Sequence, residues 1–478
     1  MKPHCDSSAV VVNDVHSALN ATSVAAIVTP RSVAGIAAAI AAGAARAQPI
    51  AICGGRHAMG GQQFGEGALL LDMREMDRVL AFDAVKGLVE VEAGIAWPAL
   101  IDFLEAAPAG SGPRWSIRQK QTGADTLTLG GCLSSNVHGR GLCMAPFIGD
   151  VEAFTLVDAE GALRQCSRTH NAELFGLAIG GYGLFGVIAS VTLRLAPRRK
   201  MRRDVAVLDL DDLMAAFDAR IKTGYVYGDF QFAIDAASPH FLHRGVFSCY
   251  VPVDDATPMG SGERALSDAD WRRLLTLAHT HKSRAFDSYA EHYLATDGQL
   301  YWSDRLQQST YLDGYHHEID GMLGHCGSEL IGEIYVPRAR LADFMRAAAA
   351  DFRAHAVDLI YGTVRLIERD TESFLPWAKQ AYACVIFNLH TPHTAEGVAA
   401  TTQAFGRLID LAIARGGSYY LTYAKAADAE QLRACHPNFD AFLAWKRRFD
   451  PQQRFQSNWY RHYRDLCASA ATAAEKAA

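Results

Sequence analysis

Apolar residues recur at helical spacing through PRSVAGIAAAIAAGAARAQ, residues 30–48, and the chain then breaks into two short apolar runs, PIAIC and ALLLDM. A 3.6-residue period with an alanine-rich face predicts a helix, and short continuous apolar runs flanked by Pro or Gly predict buried strands. GLVEVEAG alternates as a half-buried strand does, and WPALIDFLEAA reads as a helix with Pro98 in its first turn. From about Asp204 to Ala424 the runs lengthen: VAVLDL, YGDFQFAID, GVFSCYVPV, ELIGEIYVP, LIYGTVRLIE, YACVIFNLH and SYYLTYA, with helical segments between them. They are less continuously apolar than the first set, which predicts an antiparallel sheet with one face open. One helix is expected over Asp428–Phe449. The closing CASAATAAEKAA, from residue 467, has the composition of a disordered tail.

This pattern divides the chain into an α/β region over 20–197, a second domain over 198–435, and a segment over 436–466. At 478 residues, half of them hydrophobic, the chain is long enough for two sizeable cores. A net charge of -6 argues against a general nucleic-acid or anionic-membrane surface. The one dense basic run, Pro197–Arg203, reads as a solvated linker between domains. The ten cysteines contain no CxxC pair, so reduced thiols are expected, with no metal ribbon. No stretch of about eighteen apolar residues and no leader pattern occurs, and the expectation is a cytoplasmic protein without a membrane span.

Three glycine-rich stretches carry the candidate chemistry. GGYGLFG, with Gly181, Gly183 and Gly186, matches G-x-G-x-x-G, but a helix-like segment precedes it and a strand-like one follows, the reverse of the order that a nicotinamide-binding fingerprint requires. GGRHAMGGQ, residues 54–62, follows a strand and offers unhindered N–H groups suited to a pyrophosphate. TLGGCLSSNVHGRG, Thr128 to Gly141, repeats the pattern with hydroxyls and Asn136 as further donors.

In their order and spacing these segments resemble the FAD-binding flavoproteins of the vanillyl-alcohol oxidase and p-cresol methylhydroxylase (PCMH) type. The resemblance extends from PRSVAGI through LLLDM, VEVEAGIAW and ELFGLAIGGYGLFGVI to FDPQQRFQSN. It implies an α+β protein: a PCMH-type FAD-binding domain of two α/β subdomains, a cap domain with a large antiparallel sheet covered by helices, and a C-terminal segment returning to the FAD domain. It also implies that FAD is held by Gly54, Gly55, Arg56, His57, Ala58, Met59, Gly60, Gly61 and Gln62. From the second loop it implies Thr128, Gly130, Gly131, Ser134, Ser135, Asn136, His138 and Gly139, and beyond these Gly183, Gly186, Val187, Ile188 and Asn458.

His57 resembles the histidine that cytokinin dehydrogenases and polyol and aldonolactone oxidases bond to their flavin, which implies FAD attached covalently through His57. The bland alternative is a histidine that only hydrogen-bonds the phosphate loop. Arg56 and Ala58 depart from that pattern. Gly55 and Arg56, with Val137–Arg140, Tyr420, Leu421, Phe455 and Ser457, resemble instead the decaprenylphosphoryl-ribose 2′-oxidases, except that Tyr423 stands where those have a lysine.

Flavin oxidation needs groups that position a C–H and accept a proton. Alternation in YACVIFNLH puts Ala383, Val385, Phe387 and Leu389 on one face and Tyr382, Cys384, Asn388 and His390 on the other. The same alternation groups Tyr361, Thr363 and Arg365, and Glu333 with Tyr335. Arg365, Asn388 and His390 from these faces, with Tyr420 from the motif that resembles the 2′-oxidases, are the expected catalytic set. Arg365 lacks the glutamate of the E-x-R that polyol and lactone oxidases carry. His316, His317 and Glu318 lack a metal-site spacing and read as a surface or pocket-mouth feature, and no metal is expected.

The implied activity is oxidation of a CH–OH group of a sugar, polyol or related alcohol by hydride transfer to flavin N5, with oxygen or another small acceptor closing the cycle. The alternatives are CH–NH oxidation and, in a different class, a catalytically silent flavin-binding partner subunit.

Overall fold

The computed structural model describes residues 10–108, 112–260, 262–309, 311–312 and 314–477, the last seven as backbone only. Its first layer is a parallel three-stranded sheet in the order Ala26–Val28, Leu69–Asp72, Ile50–Cys53. Helix Val33–Ala45, capped by the Ser32 side chain on Gly35 N–H, makes the crossover that a parallel pair needs. Ile36 and Ile40 of this helix pack on Ile50, Leu69 and Leu71.

A second, five-stranded antiparallel sheet runs Leu163–Ser167, Val151–Val157, Val187–Arg194, Leu88–Glu92, Val79–Asp83. The GGYGLFG turn lies between helix Ala172–Ala178 and strand Val187–Arg194, the helix-before-strand order expected from the sequence.

The third sheet has eight strands, all antiparallel: Leu300–Trp302, Lys200–Asp209, Arg244–Pro252, Tyr227–Phe232, Leu359–Ile367, Tyr382–Pro392, Gly327–Pro337 and Ser418–Tyr419. One face is covered by helices Leu210–Lys222, Leu341–Ala354 and Ala395–Ile413. Phe217, Phe344, Phe352 and Phe405 of these meet Phe247, Phe387 and the other apolar positions of the strands. The predicted division of the Tyr382–Pro392 strand holds, since Ala383, Val385, Phe387 and Leu389 all join this core. The opposite face carries Glu333, Tyr361, Arg365 and Asn388 and looks onto the glycine loops.

Several expectations are revised. The basic run is no solvated linker, because it enters strand Lys200–Asp209 and alternates in burial. Arg198 is buried against Asp304 at 2.8 Å, and Arg203 stacks on Tyr250, Tyr293 and Tyr301 with ring-centroid distances of 5.1, 4.9 and 4.6 Å. The single helix expected over Asp428–Phe449 is two, Ala429–Cys435 and Phe439–Phe449. Pro437 has no N–H to donate and disfavours helical geometry at His436, so the break falls there. SYYLTYA pairs only over Ser418–Tyr419, after which the chain dips toward the cavity. The closing helix Asn458–Ala477 continues through the stretch for which composition predicts disorder.

Residues 454–456 lie against the first sheet. Ile50 N–H donates to the Arg454 carbonyl at 2.6 Å, Gln456 N–H donates to the Ile50 carbonyl at 2.9 Å, and Phe455 is buried in that sheet's core. All nine described cysteines are unpaired. Among the described residues no helix is long and apolar enough to cross a membrane.

Candidate active site

The two glycine loops touch. A Cβ on Gly54 would lie 2.0 Å from Thr128 Oγ1 and one on Gly55 would lie 2.4 Å from the carbonyl of Thr126, two residues before the second loop. Side chains at these positions would drive the loops apart, so glycine is what lets their backbones form one cradle. The GGYGLFG turn closes the third side: Tyr182 N–H donates to the Ser134 carbonyl at 3.0 Å, and Gly183 has φ +74°. The cradle opens into a cavity of about 370 Å³ that continues to the polar face of the eight-stranded sheet.

Arg56 adopts the left-handed conformation that favours glycine, φ +59°. A left-handed residue with a Cβ costs about 1–2 kcal/mol. Its guanidinium offsets this by reaching Asp72 at 2.9 Å, a carboxylate only 3% exposed. Burial alone would raise the Asp72 carboxyl, but Arg74 and Arg56 hold it below its ordinary range.

His57 lines the cavity with both nitrogens engaged: Nδ1 meets His16 Nε2 at 2.9 Å and Nε2 meets Thr126 Oγ1 at 2.8 Å. Burial, and then the neighbouring His16, depress its pKa to about 3, so the ring is neutral at pH 7. His16 comes from a stretch without periodicity, and nothing in the sequence points to it.

On the sheet side, Glu333 is the centre. Its Oε2 accepts from His138 Nε2 at 2.9 Å and from Tyr335 OH at 2.8 Å, and its Oε1 accepts from Tyr423 OH at 2.9 Å. Burial would raise this carboxyl, but His138 opposite it, the Tyr335 hydrogen bond and Arg365 outweigh that and hold it at about 2. Glu333 is thus a fixed anion, a weak base and a strong orienting group. Burial, and then Glu333, push the Tyr423 phenol well above its usual range, so it stays protonated.

Arg365 Nε and Asn388 Oδ1 face the same cavity, buried and without a hydrogen-bond partner. Groups left open in this way are suited to a ligand's hydroxyls or carbonyl. The missing E-x-R glutamate thus has a counterpart two strands away. Ile386 on the middle strand pairs with both Glu333 and Thr363, which places Glu333 across the sheet from the segment that carries Arg365.

Of the expected catalytic set, Tyr420, Arg365 and Asn388 line the cavity, and Tyr420 OH donates to the Ser135 carbonyl at 2.5 Å. His390 does not. It lies two residues beyond Asn388 on the same face, turned to Glu329 and His325. Of the expected cofactor residues, Gly54 to Met59, Gln62, Thr128, Gly130, Gly131, Ser134, Ser135, His138, Gly183, Gly186 and Ile188 line it.

Six residues serve the walls from behind. Gly60 packs under the Tyr423 carbonyl, and Gly61, at φ +76°, shapes the turn. The Asn136 side chain bonds Asp370 and Ile148 N–H. Gly139 lies against Lys120, and Val187 is buried in the first core. Asn458 bonds Thr22 and Glu66 N–H. Glu333 and Tyr361 were legible as members of a polar strand face. Gln63, Gln121 and Tyr182 carried no signal apart from their nearness to glycines.

The FAD binding domain family matches residues 24–167. Residues 24–167 are an FAD-binding domain. The chain is 32% identical over 183 residues to an uncharacterized oxidoreductase of the fasciation locus of Rhodococcoides fascians, covering 35% of this chain and 37% of that one. It is 29% identical over 174 residues to L-gulonolactone oxidase of Bos taurus, covering 36% and 38%. It is 31% identical over 166 residues to cytokinin dehydrogenase 9 of Oryza sativa subsp. japonica, covering 34% and 30%. The matched stretch thus spans less than two fifths of each of these relatives. The PCMH-type architecture and FAD as cofactor agree with the family that the sequence motifs resemble. The cradle fits the group chemically as well, with closely approaching backbone, hydroxyls of Thr128, Ser134 and Ser135, and the orphaned amide oxygens of Gln62 and Gln63 beside it.

Proposed function

We propose that the protein is an FAD-dependent oxidoreductase that oxidises a CH–OH group of a sugar-derived lactone, polyol or related small molecule, with oxygen or another small acceptor closing the cycle. The observation that carries this reading is the single cavity leading from the glycine cradle to Arg365, Asn388 and the Glu333–Tyr423 pair. When bound, FAD supplies the hydride acceptor. Arg365 and Asn388 hold substrate oxygens by their open donor and acceptor. Tyr423, oriented by Glu333, presents its phenol to the cavity, while His138 and Tyr335 hold the other Glu333 oxygen in place. The name of the gulonolactone oxidase relative favours a hydroxyl-bearing substrate.

Attachment of FAD through His57 belongs to the same reading. The ring is neutral, lines the cradle, and has His16 at 2.9 Å as a partner able to take or give a proton. Acid precipitation of the yellow protein tests it: flavin retained in the pellet, and released from His57→Ala, is the expected result. Colour in the supernatant of the unaltered protein refutes attachment.

The reaction is tested by anaerobic mixing with a panel of aldonolactones, polyols and amines. Bleaching of the flavin by hydroxyl compounds is expected, and the speed of colour return on admitting air separates oxygen from another acceptor. Bleaching by amines alone would replace CH–OH with CH–NH oxidation. A flavin-loaded protein inert to the whole panel would favour a silent partner subunit.

A further inference from the structure

Three side chains meet on the site-facing side of the eight-stranded sheet, outside the cavity. Glu329 and His390 are directly opposed across the Gly327–Pro337 and Tyr382–Pro392 strands. Helix Asp268–Thr280 brings His279 onto them near its C-terminal end. His279 Nε2 lies 3.1 Å from Glu329 Oε1, with side chains 1% and 4% exposed. His390 Nδ1 lies 3.4 Å from the same oxygen. Yet neither nitrogen of His279 has a hydrogen-bond partner. A fully buried imidazole left unsatisfied costs about 1–3 kcal/mol for each such group, and here it stands 3.1 Å from a carboxylate oxygen but out of line for a good hydrogen bond, while His390 Nδ1 is bonded to that oxygen at 3.4 Å. Such proximity without alignment is what ligands of one ion show, because their lone pairs converge on a third point.

The separations suit an ion. Zn²⁺ binds nitrogen and oxygen at about 2.0–2.2 Å in a tetrahedron, which sets neighbouring ligand atoms about 3.3 Å apart. The two measured edges, 3.1 and 3.4 Å, bracket this, and all three ligand atoms fall within 4.8 Å of one another. The surrounding groups also fit. His390 Nε2 meets His325 Nε2 at 2.9 Å, the second-nitrogen contact that fixes a ligating imidazole. The other Glu329 oxygen is held by Tyr315 OH and lies 3.4 Å from His316 Nδ1.

The second triad of such residues, His138, Glu333 and Cys384, belongs to the cavity and is satisfied by its own hydrogen bonds. At Glu329 the geometry points to a divalent transition-metal site, of zinc class, built from His279, Glu329 and His390. It ties the helix to two strands about 7 Å, two residues of strand rise, from Ile331 and Asn388 of the cavity wall. This assignment revises the expectation of no metal and gives His316, read from the sequence as a surface or pocket-mouth feature, a supporting place.

The test uses the full-length flavin-loaded protein, dialysed against Zn²⁺ and desalted. Elemental analysis is expected to find about one zinc per chain, and Co²⁺ in its place should give the visible absorption of a low-coordinate N/O site. His279→Gln and Glu329→Gln are each expected to weaken zinc binding by at least about tenfold while keeping the flavin spectrum and far-ultraviolet circular dichroism, which shows that they fold. The assignment is overturned if the unaltered protein keeps less than a tenth of an equivalent, or if flavin-loaded His279→Gln holds as much zinc as the parent. Should either variant fail to fold, the Co²⁺ spectrum of the unaltered protein decides, and its absence refutes the site.

Discussion

At the scale of single residues, the chemistry depends on which side chains are absent as much as on those present. Gly54 is required because a methyl there would occupy the Thr128 hydroxyl's place. Gly54→Ala is therefore expected to yield folded protein with much reduced bound FAD, read as the ratio of flavin to protein absorbance. Glu333 is the complementary case, a buried anion with three donors. Glu333→Gln removes the anion that faces Arg365 and that takes the His138 hydrogen bond, and breaking such a network costs about 3–5 kcal/mol. Tyr423→Phe removes one hydrogen bond worth about 1 kcal/mol. A clear fall in Tm for the first, a small one for the second, and reduced kcat for both are expected. Equal Tm values in a thermal melt would show that Glu333 is not the centre of the network. The type of each residue was legible in advance, but the partners were not: alternation says that Glu333 shares a face with Tyr335, and says nothing of Tyr423 ninety residues on.

Among the elements, strand periodicity was the most faithful guide, because one buried face enforces a period of two. The long strands fall where the apolar alternation put them. Helix boundaries were less legible at Pro437, where a local backbone rule overrides a continuous amphipathic pattern. Gly332 shows how an element is seated: a Cβ there would lie 2.1 Å from the Phe405 ring of helix Ala395–Ile413. Gly332→Ala should overpack this contact at a cost of about 1–3 kcal/mol, lowering Tm by several degrees with FAD content unchanged. An unaltered melt would mean that the helix shifts without penalty. The basic run taught the opposite lesson, since charge density suggested solvent and the strand's alternation buried every second or third member against Asp304 and a cluster of tyrosines.

For the whole molecule, pH reports on buried histidines that no local pattern marks. Burial, then His316, depress His16 to about 4, and burial, then Lys379, depress His436 to about 3, from an ordinary 6.5. Each is neutral in the fold but takes a proton once unfolded, so the stability they contribute is complete above about pH 6.5 and is lost as pH falls toward 4. Each uncompensated proton is worth up to about 1.4 kcal/mol per pH unit. Thermal melts should therefore show Tm falling between pH 7 and 5, above the range where carboxylates titrate, with a shallower fall for His436→Gln; a level Tm across that interval would contradict the burial of these rings. By itself the sequence determined the glycine loops, the alternation of the strands and the residue types available, since these rest on local sterics and on which face meets a core, while the cofactor class followed from the family that its motifs resemble. Only the tertiary structure decided that Glu333, Tyr423, His138 and Arg365 share one cavity, that His390 leaves it for Glu329, and that His16 meets His57. Those meetings join residues tens to hundreds of positions apart, and period and composition carry no information about distance across a fold.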